Sequence, residues 1–164
     1  MALAYIGLGS NLDNPLLQVT SALQELDSLP HTRLSARSAL YQSRAIGPEQ
    51  PDYINAVAQI ETSLAPLELL DALQGIEQSH HRVRLQHWGP RTLDLDLLLY
   101  GDQIIQHPRL SVPHPYLTQR AFVLYPLADI NPELQLPDGQ TLQMALSRCP
   151  FDGLARLQEN PNPA

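Results

Sequence analysis

The chain has 164 residues, 43% of them hydrophobic, which is enough to fill one sizeable core. Its 17 acidic residues outweigh 10 basic ones, and the net charge of -7 repels nucleic-acid backbones and anionic membranes, so neither is expected as a partner. All 10 basic residues are Arg, which excludes chemistries that need a lysine: a Walker A loop, a protein-kinase strand lysine or a pyridoxal Schiff base.

The apolar opening from Met1 to Gly9 has no basic n-region, and no apolar run approaches the roughly 18 residues of a membrane span. A strand is expected there, alternating over Leu3 to Leu8. Gly7-Leu8-Gly9-Ser10 lacks the third glycine of a dinucleotide fingerprint, with Leu12 in its place, and reads as a turn. Asn14 and Pro15 then supply an N-cap and a first helical residue, with Leu16, Val19, Leu23 and Leu26 as the core stripe and a stop by Pro30.

Arg33 to Tyr41 alternates as a strand, Gly47-Pro48 marks a loop, and Tyr53 to Glu61 reads as a further strand. Its Ile54, Ala56, Ala58 and Ile60 share one face, and Tyr53 and Asn55 share the other. Pro66 opens a second helix with Leu69, Leu73 and Ile76 inward and Gln74 and Glu77 beside them. A loop through Trp88-Gly89-Pro90 leads into a strand from Arg91 to Tyr100, central in the sheet because Leu97 to Tyr100 are apolar on both faces. The order βαββαβ predicts an α+β fold with a ferredoxin-like core, an antiparallel sheet with both helices on one face, followed by a C-terminal extension.

Gly101-Asp102 can turn the last core strand into a hairpin with Ile104 and Ile105. Beyond it, Val112-Pro113-His114-Pro115 and Tyr125-Pro126 restrict long regular elements. One domain is expected over residues 1–158, with residues 159–164 a disordered tail. A single cysteine, Cys149, suits a reducing cytoplasm and reads as an inert thiol.

The chemistry concentrates in Arg91-Thr92-Leu93-Asp94-Leu95-Asp96-Leu97. Residues two apart on a strand share a face, so both carboxylates project together, with Cα atoms about 6.6 Å apart. Oxygen donors at that spacing fit Mg²⁺ better than Zn²⁺, with substrate phosphates completing the shell. Arg82, Arg84, Arg91, Arg109 and Arg120 supply positive charge for a polyphosphate. His80, His81, His87, His107 and His114 form no zinc-ligand pattern.

These residues resemble the hydroxymethyldihydropterin pyrophosphokinase family over nearly the whole chain. The resemblance is carried by Ala4-Tyr5-Ile6-Gly7-Leu8-Gly9-Ser10-Asn11-Leu12, Gln50-Pro51-Asp52-Tyr53-Ile54-Asn55-Ala56, and Arg82-Val83-Arg84 followed by Trp88-Gly89-Pro90-Arg91-Thr92-Leu93-Asp94-Leu95-Asp96. Val112-Pro113-His114 and Arg120-Ala121-Phe122 continue it in the right order. Departures are Leu85 where many members carry Lys or Arg, Pro115 after the motif histidine, and Ser43-Arg44-Ala45 before Gly47-Pro48.

The resemblance implies a cytoplasmic, monomeric enzyme that passes pyrophosphate from ATP to 6-hydroxymethyl-7,8-dihydropterin, releasing AMP. It implies that Asp94 and Asp96 hold two Mg²⁺ ions and that Arg82 and Arg91 stabilise the transferred phosphates. Gln74, Glu77, Arg84, Trp88, Arg109, Ser111, His114 and Arg120 would line the ATP site, and Gly7, Ser43, Ile46, Tyr53, Asn55 and Phe122 the pterin site. Tyr53 and Phe122 would stack on the pterin faces while Asn55 reads its edge. His81 to Pro90 is a candidate lid. A metal-dependent phosphohydrolase using Asp94 and Asp96, or a ferredoxin-like binding module with a solvated Asp pair, are the competing readings.

Overall fold

β1 (Ala2–Ser10) runs through the middle of a six-stranded sheet, antiparallel on one side to β4 (Tyr53–Thr62) and on the other to β5 (Asp94–Tyr100). The computed structural model describes residues 1–44, 50–80 and 92–157. Between β1 and β4 come α1 (Pro15–Asp27), β2 (Thr32–Arg37) and β3 (Tyr41–Ser43), and α2 (Pro66–His80) lies between β4 and β5. The order is β5-β1-β4-β3-β8, with β8 (Leu154–Arg156) closing the far edge and β2 also paired to β4. This is the ferredoxin-like arrangement, with α1 and α2 on one face.

Alternation along the strands divides the interior in two. Ile6, Leu8, Ala56, Ala58, Ile60, Leu95 and Leu97 pack with Val19, Leu23, Leu26, Leu69, Leu73 and Ile76 of the two helices. A fully buried Leu or Ile is worth roughly 1.5–3 kcal/mol, so this layer supplies much of the stability. Tyr5, Val57, Leu98 and Leu99 face the opposite way, against Val123, Leu124 and Leu127 of α3 (Ala121–Ile130) and Leu142 and Ala145 of α4 (Leu142–Ser147). The C-terminal extension thus covers part of the second sheet face. The register of β5 against β1 shifts between Tyr5 and Ile6, and Leu98 and Leu99 both join this second cluster.

Several expectations are corrected. Gly7 to Ser10 belong to β1 and make no turn, because strand pairing on both sides continues through Gly9. Leu16 is 48% exposed, and the buried stripe of α1 is Val19, Ala22, Leu23 and Leu26, starting one turn later. Asn14 occupies the N-cap position with φ +64° and no side-chain capping bond. The strand expected over Arg33 to Tyr41 is broken into β2 and β3. At the break, Ser38 donates its N–H to Val57 O and accepts the Val57 N–H on Oγ, both at 2.9 Å, while Asp129 accepts the Ala39 N–H and the Tyr41 hydroxyl.

β5 is an edge strand and not a central one. Its apolar residues report burial of its two faces, and its free edge is protected by other means: Glu77 accepts the Leu95 N–H at 2.8 Å, and the His114 N–H reaches Leu98 O at 3.0 Å. Ile104 and Ile105 do not fold back on β5. β6 (Ile105–His107) pairs instead with β7 (Leu110–Val112) in a separate two-stranded ribbon. Pro126 lies inside α3, where its ring removes only the bond to Phe122 in the first turn and the buried Val123, Leu124 and Leu127 hold the helix. Residues 159–164, Gly47-Pro48 and the Trp88-Gly89-Pro90 loop lie outside the described residues. No helix among the described residues is long and apolar enough to cross a membrane.

Candidate active site

The part of the second sheet face that α3 and α4 leave open forms a cleft of about 930 Å³. Strand register fixes its floor. Gly9 is opposite Asn55 on β4 and Asp94 on β5, and in the next row but one Gly7 is opposite Val57 and Asp96. Cross-strand neighbours on antiparallel strands lie about 4.5–5.5 Å apart, so one transverse row carries Asp94, Gly9 and Asn55 within a small molecule's reach. Asp94, Asp96, Gly7, Gly9 and Asn55 all line the cleft.

At one end stand Ser43, Tyr53, Asn55 and Phe122. The Ser43 hydroxyl and Asn55 Oδ1 are 2.5 Å apart, both residues being buried. Phe122, in the first turn of α3, lies under the Arg120 guanidinium at 5.5 Å, and the same guanidinium is 5.1 Å from the exposed Tyr116 ring. Arg120 is therefore a cation held over the cleft by two aromatic faces.

Of the residues expected around a nucleotide, Gln74 and Glu77 are on α2, Ser111 is on β7 and Arg109 is in the turn between β6 and β7. Arg109 bonds Asp71 at 2.5 Å and Gln74 Oε1 at 3.4 Å. Glu77 is half-buried beside β5, and Ser111 is exposed on β7. His114 feels both Asp96 and Arg120: burial pushes its imidazole below the usual value, Asp96 opposes that and Arg120 adds to it. Gln74, Glu77, Arg109, Ser111 and His114 do not line the cleft described above, whereas Asp94, Asp96, Arg120, Gly7, Ser43, Tyr53, Asn55 and Phe122 do. Arg82, Arg84, Trp88, Arg91 and Ile46, with the candidate lid from His81 to Pro90, lie outside the described residues.

The cleft also contains residues to which the sequence reading gave no place in the site. Gly9 enters through register alone. Gln50 approaches through Asn11, whose Nδ2 bonds Gln50 Oε1 at 3.3 Å and Pro51 O at 3.1 Å. Cys149, Pro150, Asp152, Gly153 and Leu154 arrive because β8 pairs with β3, a long-range contact without a local signal. Burial raises the Cys149 thiol above its ordinary value, which favours the neutral form.

The donor set on β5 suits a hard cation. Asp94 and Asp96 offer carboxylate oxygens and face the same opening, and no group of three or more His, Cys, Asp or Glu among the described residues could cage an ion. Two carboxylates with room beside them fit a divalent metal whose shell a phosphorylated substrate completes.

Fold and site together define an α+β protein of the ferredoxin-like class, with a carboxylate pair and an amide-and-aromatic pocket sharing one cleft. Residues 5–132 match the family model described as 7,8-dihydro-6-hydroxymethylpterin-pyrophosphokinase (HPPK), and the chain belongs to that family. It is 56% identical over 154 residues to the 2-amino-4-hydroxy-6-hydroxymethyldihydropteridine pyrophosphokinase of Pseudomonas aeruginosa, a match covering 93% of this chain and 95% of that one. The protein of the same description from Haemophilus influenzae is 52% identical over 143 residues, covering 87% and 89% of the two chains. Among solved structures, the HPPK-DHPS of Plasmodium falciparum with SDX-DHP superposes with a TM-score of 0.70 at 15% identity. That match covers 90% of this chain but 43% of the longer one, and speaks for the fold.

Proposed function

We propose that this chain transfers pyrophosphate from ATP to the hydroxymethyl group of 6-hydroxymethyl-7,8-dihydropterin, with AMP as the second product, as a step of folate biosynthesis. The observation that carries this reading is the sharing of one cleft by the Asp94 and Asp96 carboxylates and by Tyr53, Asn55 and Phe122. Membership of the pyrophosphokinase family supplies the reaction class.

In this reading Tyr53 and Phe122 hold the flat pterin between them and Asn55 meets its hydrogen-bonding edge. The transverse row through Gly9 then sets the hydroxymethyl arm toward Asp94 and Asp96. Those carboxylates would hold two Mg²⁺ ions, which when bound neutralise and orient the phosphates. Arg82 and Arg91 offset the charge gathering on the transferred group, and Arg120 brings a further cation to the cleft. Gln74, Glu77, Arg84, Trp88, Arg109, Ser111 and His114 belong to the nucleotide side. The work of the protein is positioning and charge stabilisation, which suits a cytoplasmic monomer acting on two soluble substrates.

Product identity tests the reading. Incubation with ATP, Mg²⁺ and the pterin should give AMP and pterin pyrophosphate in equal amounts. Stoichiometric ADP with a monophosphorylated pterin, or equally fast ATP loss without pterin, would overturn it. The second outcome would favour a phosphohydrolase.

A further inference from the structure

Asn55 is 5% exposed, yet it lines the cleft, and the two ends of its carboxamide are in different surroundings. Oδ1 takes the Ser43 hydroxyl at 2.5 Å, a separation natural for O–H···O and too short for N–H···O. Ser43 is 7% exposed, so water does not compete for that bond. Nδ2 lies over Gly9, where a Cβ would come within 3.1 Å of it, and forms no hydrogen bond among the described residues. A nearly buried amide thus has its acceptor end occupied by protein and its donor end open to the ligand space.

We infer that Ser43 is a positioning residue that sets the polarity of the Asn55 carboxamide, so that the cleft offers a donor and selects a ring acceptor. Resting on the pterin reading above, the acceptor is the oxygen at ring position 4 of the 2-amino-4-oxo heterocycle. A carbonyl oxygen has two lone pairs and is the strongest acceptor of that ring edge. A 4-amino ring presents a donor to a donor, and a site built for a hydrogen bond rejects a ligand that leaves it unmade. Without the Ser43 hydroxyl the carboxamide either buries an unsatisfied Oδ1 or rotates and turns that oxygen on the ligand. Gly9 completes the device by leaving the space that Nδ2 occupies.

Calorimetric titration with 6-hydroxymethylpterin and with 2,4-diamino-6-hydroxymethylpteridine tests this in the wild type, Ser43→Ala and Ser43→Thr. The wild type should favour the 4-oxo ligand by about 10-fold or more, the scale of one satisfied hydrogen bond against an unmade one. Ser43→Ala should bind that ligand about 10-fold more weakly and lose most of the preference, and Ser43→Thr, which keeps the hydroxyl, should restore both. In wild-type protein the Asn55 side-chain amide protons should move downfield in ¹⁵N-edited NMR spectra on adding the 4-oxo pterin. Ser43→Ala with unchanged affinity and preference, equal loss in both variants, or unmoved Asn55 amide protons would each overturn the assignment. A wild type that binds neither pteridine, even with Mg²⁺ and a non-hydrolysable ATP analogue present, and forms no pterin pyrophosphate from ATP would remove the pterin reading itself and this inference with it.

Discussion

The Glu77 carboxylate accepts the Leu95 amide N–H at 2.8 Å, so α2 grips the free edge of β5 between its two aspartates. Leu95 is 5% exposed, and its N–H is largely shielded from bulk water. Glu77→Leu should therefore cost about 1–3 kcal/mol in urea unfolding, the penalty of an orphaned buried donor, whereas Glu77→Gln keeps an acceptor and should cost less than half of that. Equal losses in the two variants would show that charge, and not the bond to Leu95, is what matters at this position.

Asp94 and Asp96 stand on one face of a short strand and both line the cleft. Asp94→Asn and Asp96→Asn should each lower kcat at least about 100-fold while leaving the thermal midpoint within a few degrees. Mg²⁺ titration of the wild type, followed by differential scanning calorimetry with ATP, should raise the midpoint by ligand linkage, and both variants should lose that rise. A preserved shift in both would exclude the two-carboxylate metal site.

His114 carries a pH signature. Burial, the main cause, holds its imidazole below the ordinary 6.5, with Arg120 acting in the same direction and Asp96 against it. The folded state therefore binds fewer protons than the unfolded chain between the lowered value and 6.5. The neutral imidazole contributes stability that is fully present above 6.5 and is lost as pH falls through its lowered folded value. Chemical unfolding of wild type and His114→Asn at about pH 7.5 and about pH 5 should show the wild-type advantage shrinking at the acid end. In Asp96→Asn the histidine loses the one influence that raises it, so its NMR titration midpoint should fall further.

The core of the fold was legible because its signals are local. Alternation in Tyr53 to Glu61 and helical spacing of Leu69, Leu73 and Ile76 each report burial directly. The Asp94 and Asp96 pair was equally readable, since two-residue periodicity needs only the strand itself. What the sequence hid depends on partners far along the chain. The β2 and β3 break is stitched by Val57 and by Asp129, whose carboxylate takes the Tyr41 hydroxyl from 88 residues away. The edge position of β5 was missed because apolar faces say nothing about which strand lies alongside. Cys149 to Leu154 reach the cleft only through the pairing of β8 with β3, and the polarity of Asn55 follows from the Ser43 hydroxyl brought in by β3.

Gly7 and Gly9, two residues apart on β1, make different demands on space, and the difference separates folding from binding. A Cβ on Gly7 would meet Leu98 side-chain carbons at 3.5 to 3.6 Å, ordinary contact distance. A Cβ on Gly9 would stand 3.1 Å from Asn55 Nδ2 and 3.7 Å from Tyr53 Cδ1, so the carboxamide would have to move by a few tenths of an ångström. Neither glycine has a positive φ, and alanine in an extended strand loses less backbone entropy than glycine on folding. Both Gly7→Ala and Gly9→Ala should therefore unfold in urea within about 1 kcal/mol of the wild type. Gly7→Ala should raise its KM for the pterin less than Gly9→Ala does, because its new methyl packs on Leu98 and does not press on Asn55. Gly9→Ala should raise that KM by roughly 10-fold or more, since a displaced amide loses the alignment of its hydrogen bond. Its KM for ATP should change much less. Steady-state kinetics with each substrate varied in turn would check this, and equal pterin KM values in the two variants would remove Gly9 from the floor of the pocket.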